Sequence, residues 1–311
     1  MGSKGCRLAI ASAILAGCAG IDSPVIHPDT APEARLAPLR PFSRAALVQP
    51  PLSTVARGAP AFPGTAARPV RLLEGDPPRP PNEIVAGWVE RYRTRNRSQF
   101  ALHLRRLGRF DALIRGELHR RGMPEEILFI PAIESRFEAD VRGPGGVAGL
   151  WQLHTTTARH LGLEVSDHVD ERLDPVASTF AALDYLQQMH DLFDSWLLAF
   201  AAYNAGAGRI RGLLRRQAGG ATGADSLYWA IYHALPPATR MSIPATLAAA
   251  VVSADRERYG FADVVPDAPL AYDEVDAPGG LRLEAIARAA DLPAEELLHL
   301  NRHLIRAATP P

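Results

Sequence analysis

The chain has 311 residues, 47% hydrophobic and 22% charged, with Lys+Arg 34 balancing Asp+Glu 34. That length suffices for one large domain or two smaller ones with real cores, and the zero net charge argues against the basic surface of a nucleic-acid binder. The two cysteines, Cys6 and Cys18, lie near the N-terminus, which excludes a disulfide framework and a thiolate zinc site.

Lys4 and Arg7 precede an apolar run from Leu8 to Ala16. Roughly ten apolar residues cannot span a hydrocarbon core that needs about 20, so residues 1–17 read as a signal sequence. The four residues Leu15-Ala16-Gly17-Cys18 resemble a bacterial lipobox. That resemblance implies lipidation of Cys18 as the first residue of the mature chain and loss of Cys6 with the leader. Myristoylation is a poor rival, because Cys6 stands where that motif requires Ser or Thr. Ala19, in place of an aspartate, favours the outer membrane over retention at the inner one. The expected location is the periplasm, with a lipid anchor in the outer membrane. About half of the 27 prolines then fall between Pro24 and Pro81, with neither a 3.6 nor a 2.0 period. Residues 18–82 read as a Pro/Ala-rich, largely disordered tether.

From Asn82 the pattern becomes helical. Ile84, Val85, Trp88, Val89 and Tyr92 recur at helical spacing, as do Leu104 with Leu107, and Leu113 with Ile114 and Leu118. Gly122 closes that stretch, and Pro124-Glu125-Glu126 opens the next helix. Ile127, Ile130, Ile133 and Phe137 form its apolar face. Further helices are expected over 174–192, 195–203, 207–217 and 243–253, giving a mainly α fold.

Glu134 ends the apolar segment Phe129-Ile130-Pro131-Ala132-Ile133. A carboxyl there is expected to be desolvated, which raises its pKa as a general acid at neutral pH requires. The glycine-rich run 143–149 lets backbone approach a ligand closely. Leu150-Trp151-Gln152 is expected to begin a helix and to present an aromatic face and an amide to a polar ring. Glu138 and Asp140 read as solvated carboxylates. The histidines show no ligand spacing with an acidic partner, so neither a metal nor a cofactor is expected. Gly206-Ala207-Gly208 follows a helix, where a nucleotide fingerprint needs a strand.

Glu134-Ser135-Arg136-Phe137, Gly149-Leu150-Trp151-Gln152 and Ala202-Tyr203-Asn204-Ala205-Gly206, in that order, resemble the lysozyme-like lytic transglycosylases, and most closely the membrane-bound lytic murein transglycosylase D family. The resemblance implies a goose-type lysozyme-like catalytic domain over 83–266. It also implies non-hydrolytic cleavage of the β-1,4 bond between N-acetylmuramic acid and N-acetylglucosamine in peptidoglycan. Glu134 would act first as acid and then as base, leaving 1,6-anhydro ends. Ser135, Gly149, Gln152, Tyr203 and Asn204 would contact substrate or support the glutamate. The expected partners are glycan strands and, through Cys18, a membrane.

The pattern also departs from the family. Gly143 stands where a substrate-touching serine is usual, and Leu153-His154 replaces an aliphatic-proline pair. Ala238 and Ser242 replace a glutamate and a tyrosine. Two other readings therefore stay open: a muramidase on the same fold, and a peptidoglycan-binding lipoprotein with impaired catalysis. Over 267–311, Leu281 to Ala287 and Leu292 to Asn301 resemble a degenerate lysin-motif module, a small α/β segment whose closing strand is missing.

Overall fold

The computed structural model describes residues 6–11 and 70–311. Cys18, the cleavage region of the leader and most of the tether lie outside the described residues. The described residues divide into two compact units, 70–270 and 6–11 with 271–311.

The first unit is mainly helical. Helix α1 spans Glu83–Arg93, begun by Asn82, whose side chain accepts the Val85 N–H, and α2 spans Arg97–Leu107. Helix α3, Asp111–Arg121, ends on Gly122 in the left-handed conformation (φ 65°), the usual glycine stop. A 3₁₀ turn over Glu125–Phe129 leads into the short helix α4, Ile130–Glu134. Strands β2, Val147–Ala148, and β3, Leu153–His154, form a small antiparallel hairpin before α5, Thr155–His160. Helices α6, Pro175–Phe193, and α7, Trp196–Ala205, pack on one another. Asp174 and Ser195 cap them, Asp174 through the N–H groups of Val176 and Ala177 and Ser195 through that of Leu198. After α8, Ala207–Gln217, and α9, Ser226–Ile231, the long α10, Pro237–Ala254, packs against α1, α4 and α7. Its residues from Ile243 to Val252 are all buried. A helix buried on every side must be apolar nearly all round, and in this stretch Thr246 is the polar exception, its hydroxyl donating to the Ser242 carbonyl at 2.9 Å.

Two expectations need correction. The stretch 70–82, expected as tether, is anchored to the helical unit although most of it is exposed: Leu73 is buried, and the N–H groups of Leu72 and Leu73 both donate to Glu126 Oε1 at 3.0 Å. Leu150-Trp151-Gln152 is the turn of the β2–β3 hairpin and not a helix start. The physical reason is Gly149 (φ 82°) followed by Gln152 (φ 48°), two left-handed residues within four that reverse the chain.

The second unit pairs strand β1, Cys6–Ala11, antiparallel with β4, Tyr272–Ala277, with Leu8 opposite Val275. Helices α11, Leu283–Ala289, and α12, Ala294–Leu300, complete it. Leu8 and Ile10 point inward with the period of a half-buried strand, into a core with Leu283, Ala287 and Leu297. The buried Asn301 accepts the Ala9 N–H at 2.9 Å and donates to the Ala9 carbonyl at 2.8 Å. The apolar segment read as leader thus supplies the second strand of this sheet, the element that 267–311 alone lacks.

Candidate active site

Glu134 is the last residue of α4, and the chain turns away immediately after it. Arg136 and Phe137 both have positive φ (58° and 55°), an arrangement that costs roughly 1–2 kcal/mol per non-glycine residue. It persists because the surroundings fix it. Phe137 is buried and stacked near Phe110, and Arg106 donates to the Arg136 carbonyl and ion-pairs with Glu138. That pair ties Glu138 to Arg106, away from a catalytic role. Glu134 is left half-buried at the edge of a shallow, open recess. Apolar lining comes from Ile130, Phe200 and Ile243, and polar lining from Tyr203, Asn204, Ser242 and Thr246. Burial pushes the Glu134 carboxyl above the usual carboxylate range, opposed by one hydrogen bond from Asn204. A carboxyl so placed holds its proton at higher pH than a solvated one and can return it, as acid–base chemistry near neutrality requires.

The two residues of the Tyr203-Asn204 pair have different partners. Tyr203 donates its hydroxyl to the Trp151 carbonyl at 2.7 Å and lies 5.6 Å, ring to ring, from Tyr185. Burial first, then the nearby Glu134 and Tyr185, raise the Tyr203 hydroxyl well above the ordinary phenol range. It is therefore a neutral donor at all working pH values. Asn204 is exposed on one side and donates Nδ2 to Glu134 Oε1 at 3.3 Å.

Three further sequence-predicted residues are not among those lining the recess. Ser135 is buried and donates to the Leu150 carbonyl at 2.6 Å. It joins the end of α4 to the hairpin turn and cannot touch a substrate. Gly149 is also buried, and a Cβ there would lie 1.7 Å from the Arg172 carbonyl oxygen. Its close approach is to the chain's own backbone, not to a sugar. Gln152 donates Nε2 to the carbonyls of Gly149 (2.8 Å) and Val141 (3.2 Å), so its amide N–H groups hold the hairpin. Trp151, expected as an aromatic platform, is fully buried and donates Nε1 to Thr179 Oγ1 at 2.9 Å. Gly143 has a local cause as well. A Cβ there would meet Gln152 Oε1 at 2.4 Å and Val147 Cγ2 at 2.6 Å, so the serine expected from the resemblance has no room while Gln152 keeps this position.

Sequence reading missed two residues of this architecture. Arg172, 4% exposed, forms a fork-to-fork pair with Asp170 (2.8 and 2.9 Å) and donates to the Gly146 and Leu153 carbonyls. A buried charge is tolerable only with such full pairing, and it staples the hairpin at both ends. Thr239, 1% exposed, donates to Asn204 Oδ1 at 2.7 Å. The pattern Asp-x-Arg was the available signal for the first; for the second it was the place of Thr239 between Ala238 and Ser242, two positions that the resemblance puts at the cleft.

Residues 111–224 match the Transglycosylase SLT domain family. Over 223 residues the chain is 30% identical to membrane-bound lytic murein transglycosylase D of Escherichia coli K12, covering 71% of this chain and 48% of that protein. It is 34% identical over 96 residues to membrane-bound lytic murein transglycosylase F 2 of Alkalilimnicola ehrlichii, covering 28% and 20% respectively. The lytic transglycosylase Slt of Pseudomonas aeruginosa superposes with a TM-score of 0.39 at 26% identity over 52% of this chain and 26% of that one, a likeness too slight to bear on the fold. The chain spans about half the length of the transglycosylase D relatives it matches. The helical unit thus carries a Transglycosylase SLT domain over 111–224, and across most of its length the chain is similar to membrane-bound lytic murein transglycosylase D.

Proposed function

We propose that this chain is a peptidoglycan lytic transglycosylase in which Glu134 serves as both acid and base. The observation that carries this reading is the half-buried Glu134 carboxyl at the edge of the recess, its pKa raised by burial and its hydrogen-bonding side-chain partner among the described residues an amide. In the first step Glu134 gives its proton to the glycosidic oxygen as the bond to the anomeric carbon of N-acetylmuramic acid breaks. The substrate's own acetamido oxygen stabilises the cationic carbon, one of the schemes that dispenses with a second carboxylate. In the second step the Glu134 carboxylate takes the proton of the hydroxyl at carbon six. That oxygen closes on the anomeric carbon and releases the acetamido group. One proton leaves the glutamate and one returns, and no water is consumed.

Tyr203, neutral and tied to the Trp151 carbonyl, supports the wall of the recess, and Gln152 and Ser135 hold the hairpin behind it. The expected substrate is the glycan strand. The membrane attachment is through acylated Cys18 in the periplasm, a reading supported by the lipobox-like sequence and by the membrane-bound designation of the relatives. Cys18→Ser is expected to move the protein from the membrane fraction to the soluble one. The test of the activity is digestion of purified sacculi by wild type beside Glu134→Gln. Loss of the acid–base group is expected to lower the rate by at least about 100-fold to 10,000-fold. Equal release of fragments by the two proteins would remove Glu134 from the mechanism. Binding without release by both would favour the glycan-binding reading, for which Ala238 and Ser242 are the supporting departures.

A further inference from the structure

An amide beside a carboxyl can present either its NH₂ or its carbonyl, and the two choices have opposite consequences. A donated hydrogen bond favours the carboxylate, whereas an accepted one favours the protonated acid. For Asn204 the far end of the amide decides. There the Thr239 hydroxyl, held inside the protein, donates to Asn204 Oδ1 at 2.7 Å, and Asn204 Nδ2 is left facing Glu134 Oε1 at 3.3 Å. Thr239 lies in the first turn of α10, and its own carbonyl accepts from Ser242 Oγ at 3.3 Å. The three groups come from three helices: Glu134 from α4, Asn204 from α7 and Thr239 from α10.

We propose that Thr239 is a positioning residue that orients Asn204 so that its NH₂, and not its carbonyl, meets Glu134. This rests on the reading of Glu134 as acid and base. Donation into the Asn204 carbonyl also polarises the amide and strengthens its N–H as a donor. The relay therefore favours the carboxylate, the form needed when the hydroxyl at carbon six is deprotonated. It opposes the effect of burial, bringing the acid and base forms closer in energy. The other titratable groups at this corner are Tyr203 on α7 and Tyr185 behind it on α6, both neutral with raised pKa values. The facing part of α10 contributes Ser242, Ile243 and Thr246, none of which titrates.

The test is Thr239→Val, which keeps the shape and removes the hydroxyl, beside Thr239→Ser, which restores it. The pH dependence of kcat/KM on sacculi falls on the alkaline side as Glu134 loses its proton. Thr239→Val is expected to move that limb upward by about half a pH unit to one unit, and Thr239→Ser to return it. Titration of the Glu134 carboxyl by carbon NMR gives the same shift without requiring turnover, and tryptophan fluorescence checks the fold. A folded Thr239→Val protein whose limb and carboxyl titration match wild type overturns the inference, as does an equal shift in Thr239→Ser. Full activity in Glu134→Gln would instead overturn the underlying reading of the site, so the two failures are distinguishable.

Discussion

Replacing Gly149 by alanine probes the hairpin that supports the recess, and its cost can be worked from the backbone. A Cβ at 149 would stand 1.7 Å from the Arg172 carbonyl oxygen and 2.6 Å from its carbonyl carbon. Neither side can yield cheaply. The Gly149 N–H donates to the Val141 carbonyl at 2.8 Å, and Arg172 is held by Asp170 and two hairpin carbonyls. The left-handed conformation at φ 82° adds about 1–2 kcal/mol for any residue with a Cβ. Together the loss is expected to exceed about 3–4 kcal/mol, the range reserved for backbone clashes and strain. Gly145 is the internal control. Its φ is 76° but a Cβ there meets nothing within 4 Å, so Gly145→Ala is expected to lose only the conformational ~1–2 kcal/mol. All four tryptophans, Trp88, Trp151, Trp196 and Trp229, lie in the helical unit, so urea unfolding followed by fluorescence reports on that unit. With a slope of about 2 kcal/mol/M, the midpoint should fall by about 2 M for Gly149→Ala and by half to one molar for Gly145→Ala. Equal shifts for the two variants would refute the reasoning.

Three other outcomes follow from particular contacts. Tyr203→Phe leaves the Trp151 carbonyl without its hydroxyl partner and is expected to destabilise the helical unit by about 1–3 kcal/mol. Its fall in sacculus digestion should stay far short of that of Glu134→Gln; a comparable fall would assign the hydroxyl to the chemistry itself. Glu126 is buried, its Oε2 has no partner among the described residues, and burial raises its pKa. A carboxyl raised on folding contributes stability below its unfolded pKa and loses it as pH rises through the folded one. Glu126→Gln should therefore flatten the decline of stability with rising pH, and an unchanged slope in urea midpoints would contradict this. In the full-length chain retaining residues 1–17, Leu8→Asp places a charge at a site with no exposure. Amide exchange over Tyr272–Ala277 is expected to accelerate sharply while the tryptophan transition stays put. Unchanged exchange would show that β1 adds nothing to that sheet.

Helices α1, α3, α6 and α7 were legible because each carries its own signals. Asn82, Asp174 and Ser195 start them, Gly122 stops one, and apolar spacing marks their buried faces. Glu134 was legible because the apolar run before it foretold desolvation, a local effect. The roles of Trp151, Gly149 and Ser135 were not, since a motif names residues without saying which side of the wall they occupy. Trp151 turns inward because its indole N–H reaches Thr179 on α6, a partner 28 positions along the chain. Val70 to Pro81 looked like tether because proline content conceals a few anchoring contacts near its start, the Leu72 and Leu73 amides on the Glu126 carboxyl, the Glu125 N–H on the Val70 carbonyl and Arg71 paired with Glu125. Strand β1 was unreadable for another reason. A short apolar run serves equally as a leader or as a buried strand, and only the distant Asn301 and β4 distinguish the second use.

The most direct test of the account is the origin of the oxygen at the new chain ends. Sacculi digested by wild-type protein in water enriched in heavy oxygen should yield muropeptides with 1,6-anhydro ends, one water lighter than the reducing form and free of label, and Glu134→Gln should yield none. Reducing-end products carrying the heavy isotope would show that water attacks the anomeric carbon, and would make the protein a hydrolase on this fold.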